Sequence, residues 1–99
     1  MQMATFVVLA KWTEKTFASM KDAPAAAEEM KKFVADMGAQ IKGWYLLMGQ
    51  YDEMCILEAP NAETVAKILI PMSAKYGAKT ETLQAFSESE ALALFAGMK

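Results

Sequence analysis

Histidine is absent from this 99-residue sequence, and cysteine occurs once, at Cys55. Without histidine, the chain lacks the side chain that most often acts as a general base and that most often binds zinc or haem iron. Serine and cysteine nucleophiles also lose their usual partner. A single cysteine excludes an internal disulfide framework. Because Cys55 lies in an apolar run, we expect a buried thiol in a reducing compartment, the cytoplasm.

Strong net charge and long apolar runs are missing as well. Ten basic and twelve acidic residues give a net charge of −2, and the lysines are scattered, so nucleic acid is not an expected partner. The apolar run at residues 3–10 has about half the length that crosses a bilayer, and we expect neither a membrane segment nor a targeting signal. The five glycines form no phosphate-binding loop, and the nine methionines have no metal-binding spacing. We predict no metal and no cofactor.

The length fits one domain, which we expect to cover residues 1–99. Apolar residues make up 55% of the chain and charged residues 22%, a composition that excludes intrinsic disorder. So small a domain cannot place all of these apolar side chains in its interior. Some of them must therefore face another subunit or a ligand cavity.

Hydrophobic patterns predict a strand, a helix and a β-hairpin in the first part of the chain. Residues 5–10 are β-branched, aromatic and nearly all apolar, as in a strand covered on both faces. A short helical turn is expected within residues 13–22. Asp22 and Pro24 then mark the start of an amphipathic helix that ends at Gly38. Residues 41–48 and 54–57 form the two hairpin strands.

The second part of the chain predicts a helix, a strand and a terminal helix. Asn61 is the expected N-cap of the helix, and Pro71 predicts either a kink or an end near Ile70. Residues 78–86 form a fourth strand, and Ser87 and Glu90 form a capping box for a short C-terminal helix. This β-α-β-β-α-β order predicts an α+β, ferredoxin-like fold, with an antiparallel sheet and both main helices on one face.

The helix-free face of this sheet is expected to be too apolar for water. A two-residue turn at Gln50-Tyr51 pairs Tyr45 with Ile56, Leu47 with Met54 and Gly43 with Glu58. The side chains expected to face the helices are Phe6, Val8, Trp44, Leu46, Cys55, Leu57, Leu83 and Ala85. The opposite face is expected to carry Thr5, Val7, Leu9, Lys11, Tyr45, Leu47, Met54, Ile56, Glu58, Thr82 and Gln84. We therefore predict a face-to-face homodimer, a dimeric α/β barrel, or a higher oligomer.

Several segments resemble the GYD domain family. The stretch Gly49-Gln50-Tyr51-Asp52 carries the Gly, Tyr and Asp of the family signature, with Gln50 between the first two. The similarity extends to residues 6–9, 12–13, 21–24, 58–61 and 80–86, with Asn61 where the family often has Asp. The resemblance implies a small ferredoxin-like bacterial or archaeal protein of the dimeric α/β barrel type, without an established activity.

Several polar and aromatic side chains are candidates for ligand binding. Tyr51 and Asp52 either form a binding tip on the hairpin or shape its turn. Glu58 and Lys11 share the predicted open face. There, Glu58 either transfers protons inside an apolar lumen, or the two form an ion pair at its rim or solvated strand ends. Trp12 either lines a cavity or belongs to the core. The full candidate set is Lys11, Trp12, Tyr45, Tyr51, Asp52, Glu58, Thr82 and Gln84.

Three functional classes follow from these features. The leading one is a homo-oligomeric protein that binds a small apolar metabolite between its sheets or acts as an accessory protein. The second is a cofactor-independent enzyme, by fold-level analogy, with Glu58, Lys11, Tyr45 or Gln84 as acid, base or polarising group. The third is a purely structural assembly subunit.

Overall fold

Four strands and four α-helices follow one another in the computed structural model, which describes residues 3–99. The elements are β1 (Ala4–Lys11), α1 (Glu14–Ala18), a 3₁₀ turn (Met20–Asp22), α2 (Ala23–Asp36), β2 (Gln40–Leu46), β3 (Glu53–Ala59), α3 (Ala62–Tyr76), β4 (Lys79–Ala85) and α4 (Glu88–Ala96). The strands form one antiparallel sheet in the order β2-β3-β1-β4. This confirms the predicted α+β, ferredoxin-like arrangement. Within residues 3–99, none of the helices combines the length and the apolar character that a membrane span needs.

Capping residues explain where the last two helices begin. The Asn61 side-chain oxygen accepts a hydrogen bond from the Thr64 N–H at 2.9 Å. At α4, the Glu90 N–H donates to Ser87 Oγ at 3.1 Å, and the Ser87 N–H donates to Glu90 Oε1 at 2.8 Å. Both predicted N-caps are confirmed, because each satisfies backbone donors that the first helical turn leaves without partners.

Helix α3 continues through Pro71 to Tyr76, so the alternative of an end near Ile70 is wrong. Proline inside a helix costs about 3 kcal/mol through its missing N–H and its ring. Ile68 and Met72, on either side of Pro71, are both buried in the core. Burying two such side chains contributes roughly 3–6 kcal/mol, which is enough to offset the cost of the proline.

The hydrophobic core lies between one face of the sheet and the helices α2 and α3. Its most buried large side chains are Leu57 on β3, Ile68 on α3 and Val34 on α2. The whole buried cluster is Phe6, Val8, Val34, Ala39, Leu57, Ala59, Val65 and Ile68. All of its sheet residues point to the same side, which leaves the opposite face of the sheet without a helix.

The β2–β3 connection spans residues 47–52 and is not the predicted two-residue turn. Tyr45 pairs with Met54 and Gly43 with Ile56, so the predicted pairs of Tyr45 with Ile56, Leu47 with Met54 and Gly43 with Glu58 are wrong. The Leu47 N–H donates to the Asp52 carbonyl at 2.8 Å, which closes the longer loop. Tyr45, Met54 and Ile56 nevertheless keep their predicted face, because a shift of two residues preserves side-chain direction.

Strand β4 has the opposite facing from the predicted one. Thr82 pairs with Val8 and Gln84 with Phe6, so these two polar residues lie on the helix side. Leu83 pairs with Val7, and Ala85 lies beside it on the helix-free face. The prediction assumed that apolar residues turn toward the helices. That rule fails at this edge strand, where Thr82 and Gln84 remain exposed beside α3.

Trp44 and Leu46 lie on the helix side, as predicted, but they are not core residues. Trp44 pairs with Cys55, which in turn lies opposite the buried Val8. Trp44 is 54% exposed and Leu46 is 60% exposed. Strand β2 is the other edge of the sheet, and the helices leave this end of it uncovered.

Replacing Asn61 with alanine is expected to lower the free energy of unfolding by about 1 kcal/mol, because α3 loses its capping acceptor. Urea unfolding followed by circular dichroism measures the difference at equal protein concentration. Asn61→Ser is the matched control, since serine caps about as well as asparagine. An alanine variant as stable as the serine variant would contradict the importance of this cap.

Candidate functional site

The helix-free side of the sheet carries apolar side chains from all four strands. We call this surface the open face, with Thr5, Val7, Leu9, Lys11, Gln40, Gly43, Tyr45, Met54, Ile56, Glu58, Lys79, Glu81, Leu83 and Ala85 as its members. Val7 occupies the middle, between Ile56 on one side and Leu83 on the other. Leu83 and Ala85 stand where Thr82 and Gln84 were expected, and the same reversal of β4 brings the charged Lys79 and Glu81 to this face.

Charged residues of the open face lie at its two ends. Lys11 and Lys79 pair directly across β1 and β4 at one end, and Glu58 pairs with Thr5 at the other. Lys11 lies six positions after Thr5 on β1, a distance of roughly 20 Å in a strand. The alternative of an ion pair between Lys11 and Glu58 of one chain is therefore wrong.

The β2–β3 loop crosses the lysine end of the open face. Tyr51 Oη donates a hydrogen bond to the Glu81 carboxylate on β4. The Lys11 ammonium lies 5.5 Å from the centroid of the Tyr51 ring. The Glu81 carboxylate accepts a hydrogen bond that only the neutral Tyr51 phenol can donate, which raises the pKa of Tyr51. The hydroxyl therefore stays protonated at neutral pH. One end of the open face is thus closed by an aromatic ring with a cation beside it.

Asp52 holds this loop against the start of α1. The backbone N–H of Trp12 donates to Asp52 Oδ2 at 2.8 Å, and the backbone N–H of Asp52 donates to the Ala10 carbonyl at 2.8 Å. The Trp12 ring packs edge-on against Phe17, with 5.6 Å between the ring centroids. Through these contacts, Asp52 and Trp12 connect the β2–β3 loop to the end of β1. They agree with the interpretation of Asp52 as a residue that shapes the loop.

The eight candidate ligand residues do not converge on one place. Lys11, Tyr45 and Glu58 belong to the open face, and Tyr51 lies over its lysine end. Thr82 and Gln84 lie on the other side of the sheet. Their expected position on the open face is wrong, for the reason given for β4.

Thr82 and Gln84 instead border a groove between α3 and β4. This α3–β4 groove has a volume of about 350 Å³ and is lined by Phe6, Ala62, Val65, Ala66, Leu69, Thr82 and Gln84. Sequence reasoning missed it because β4 was assigned the opposite facing. The sequence signal that could have revealed the groove is the pair of small residues Ala62 and Ala66, one helical turn apart on α3.

The described part of the chain, residues 3–99, contains no group of three Cys, Asp or Glu side chains placed to hold a metal ion. Cys55 lies on the helix side and is partly buried. Burial raises the pKa of its thiol to about 11, and the nearby Glu53 carboxylate adds to the shift. The thiol is therefore neutral at physiological pH and is a poor nucleophile there.

Cys55 is expected to react with iodoacetamide about a hundredfold more slowly at pH 7.5 in the folded protein than in urea. A pKa near 11 in place of 9.0 lowers the thiolate fraction by about that factor. Mass spectrometry of timed samples gives both rates, and the folded-state rate should keep rising up to pH 10. Equal rates in the folded and unfolded protein at pH 7.5 would contradict the raised pKa.

Comparison with known proteins adds two findings. The family described as GYD domain matches residues 6–94 of the chain. A protein of the bacterium Thermus thermophilus is 28% identical over 92 residues, which is 92% of this chain and 97% of that protein. It is named glutamine synthetase and cystathionine beta-lyase binding protein. The family match therefore covers most of the open face, the whole β2–β3 loop and most of α4.

Proposed function

Because the chain belongs to the GYD domain family, we propose that it is a cytoplasmic accessory protein that self-associates and binds metabolic enzymes. The observation that carries the proposal is the open face, an apolar surface built from all four strands of the sheet. Surfaces of this kind are characteristic of protein interfaces. The name of the Thermus relative, which describes a protein that binds two enzymes, supports the same class of function.

Self-association through the open face is the first part of the proposal. Two sheets packed face to face bury their inner side chains about 10 Å apart. A two-fold axis running across the strands sets the end with Lys11 and Lys79 opposite the end with Glu58 of the second copy. Lys11 and Lys79 lie directly opposite each other, an unfavourable pairing within one chain, and the nearby Glu81 already accepts a hydrogen bond from Tyr51. A second carboxylate, from the other copy, would therefore stabilise this end further.

The enzyme-binding surface lies on the helix side in this proposal, at the exposed pair Trp44 and Leu46. The Trp44 Nε1–H donates to Glu53 Oε2 at 2.8 Å, which fixes the orientation of the indole ring. A large aromatic ring held in place on an exposed edge is the kind of residue that dominates binding energy in interfaces. This surface stays free when two open faces pack together, because it lies on the opposite side of the sheet.

Direct binding to purified glutamine synthetase and cystathionine beta-lyase from the source organism tests the proposal. We expect saturable binding of at least one enzyme in surface plasmon resonance, and at least tenfold weaker binding for Trp44→Ala. The matched control is Ile70→Ala, which removes an exposed apolar side chain from α3 and should bind normally. Absence of binding to both enzymes at micromolar concentrations would contradict the proposal, and so would equal effects of the two substitutions.

A small apolar ligand between the two sheets is the second candidate. The observation that favours it is the closure of one end of the open face by Tyr51 and Lys11. An apolar molecule with an anionic group would fit there, with its charge beside the Lys11 ammonium. Native mass spectrometry of freshly purified protein should then show added mass that disappears on denaturation. Subunits that carry no added mass would argue against this ligand.

A further inference from the structure

Helix α4 projects from the domain with its large side chains in solvent. Leu92, Leu94 and Phe95 are 57%, 56% and 61% exposed. The described chain is correspondingly elongated, measuring 52 Å along its longest axis and 18 Å along its shortest. A helix of nine residues is marginally stable alone in water, so α4 needs a surface to pack against.

One side of α4 is suited to such packing. Ala91, Leu94 and Phe95 follow helical spacing, and Met98 continues the same line beyond the helix. Ala93 lies on the other side. The apolar stripe formed by Ala91, Leu94, Phe95 and Met98 has no large buried member in the chain itself. A surface that covers this stripe must therefore belong to another chain.

The α3–β4 groove offers a matching surface. Phe6, Val65 and Leu69 give it apolar contacts, while Ala62 and Ala66 leave room for a second helix to approach α3. Its volume of about 350 Å³ suits inserted side chains better than a complete helix. Only two residues connect β4 to α4. No residue of α4 lines the groove of its own chain.

We propose that α4 of one copy docks in the α3–β4 groove of a second copy, and that the second copy returns the same contact. Leu94 and Phe95 enter the groove, and Ala66 faces them from α3. The exchange gives the apolar stripe of α4 and the α3–β4 groove a partner at once. The inference is separate from enzyme binding, since Trp44 and Leu46 take no part in it.

The contact area favours a reciprocal exchange between copies. A nine-residue helix is about 14 Å long and 10 Å wide, so a single arm in a groove buries on the order of 600 Å² in total. Stable interfaces bury at least about 1,000–1,200 Å². Two symmetric contacts reach that range, whereas an unrelated protein that contacted α4 alone would not. A second copy of the chain is therefore the occupant that the structure favours.

Cross-linking between two differently labelled chains tests the exchange. Phe95→Cys and Ala66→Cys are placed on separate chains, both with Cys55→Ala, and the two chains are co-expressed with different tags. A short bis-maleimide reagent is expected to give at least tenfold more dimer carrying both tags than is obtained when either cysteine variant is co-expressed with a differently tagged chain that carries only Cys55→Ala. Ala93→Cys, on the other side of α4, replaces Phe95→Cys in the matched control and should give little product.

Two results would overturn the exchange. One is the absence of two-tag dimer from co-expressed chains that are folded by circular dichroism. The other is a product confined to single chains when both cysteines are placed on the same chain, which would mean that α4 folds back into its own groove. A dimer formed equally well with Ala93→Cys would also contradict the proposed side of α4.

Discussion

Replacing Val7 with glutamate is expected to break the proposed contact between two open faces and to halve the mass of the protein in solution. Val7 lies in the middle of the open face, between Ile56 and Leu83. When a second open face covers it, a carboxylate at this position is buried without a partner, which costs several kcal/mol. In the separate chain Val7 is only partly buried, so the variant should still fold.

Size-exclusion chromatography with light scattering measures this effect directly. We expect Val7→Glu to have half the mass of the unchanged protein at micromolar concentration, and the unchanged protein to have at least twice 10.9 kDa. Ile70→Glu is the matched control, because it places the same charge on an exposed apolar position of α3, and it should keep the larger mass. A Val7→Glu protein with unchanged mass would mean that the open face is not the interface.

Replacing Gly77 with alanine is expected to lower the free energy of unfolding by about 3 kcal/mol, and Gly38→Ala by about 1 kcal/mol. Both glycines have left-handed backbone, with φ of 78° and 80°, so both substitutions carry the same conformational cost. Only Gly77 is crowded. An added Cβ there would lie 2.7 Å from Lys15 Cβ and 2.8 Å from Thr13 Oγ1, whereas at Gly38 nothing lies within 4 Å.

The crowding at Gly77 arises because α1 caps the C-terminal end of α3. Thr13 Oγ1 donates to the Gly77 carbonyl at 2.7 Å, and Lys15 Nζ donates to the Ala74 carbonyl at 2.7 Å. These bonds satisfy carbonyls that the last helical turn leaves without partners, and they bring a cation to the negative end of the helix dipole. An alanine at position 77 must push α1 away and weaken both contacts.

Thermal and urea unfolding of the two glycine variants, at one protein concentration, separate crowding from backbone strain. We expect a melting temperature at least about 8 °C lower for Gly77→Ala than for Gly38→Ala. Because φ is shared, the difference between the variants reports the contact with α1. Equal losses of stability would show that α1 moves aside at no cost.

Most of the fold was predictable because its signals are local. The helix starts at Asn61 and Ser87 depend on side chains within three residues of the cap, and the apolar stripe of each main helix is a pattern within one segment. The facing of β4 is different. Leu83 and Thr82 alternate correctly for a strand in either orientation, and which of them turns toward α3 is decided by pairing with β1.

The candidate site depended even more on long-range contacts. The hydrogen bond from Tyr51 to Glu81 joins residues 30 positions apart, and no local pattern predicts it. The capping box and the apolar stripe of α4 predicted a helix, but they carried no information on whether the domain would cover it. The part of the open face on β1, β2 and β3 was predictable because it needed only side-chain alternation. The two-residue shift in the pairing of β2 with β3 leaves the facing of both strands unchanged.

Native mass spectrometry of the unchanged protein at micromolar concentration tests most directly whether the chain self-associates. The measurement reports subunit number without any substitution, and it detects a co-purified ligand in the same spectrum. We expect the main species to have at least twice the subunit mass of 10.9 kDa. A main species of 10.9 kDa would show that the open face is exposed in the working protein, and would contradict self-association.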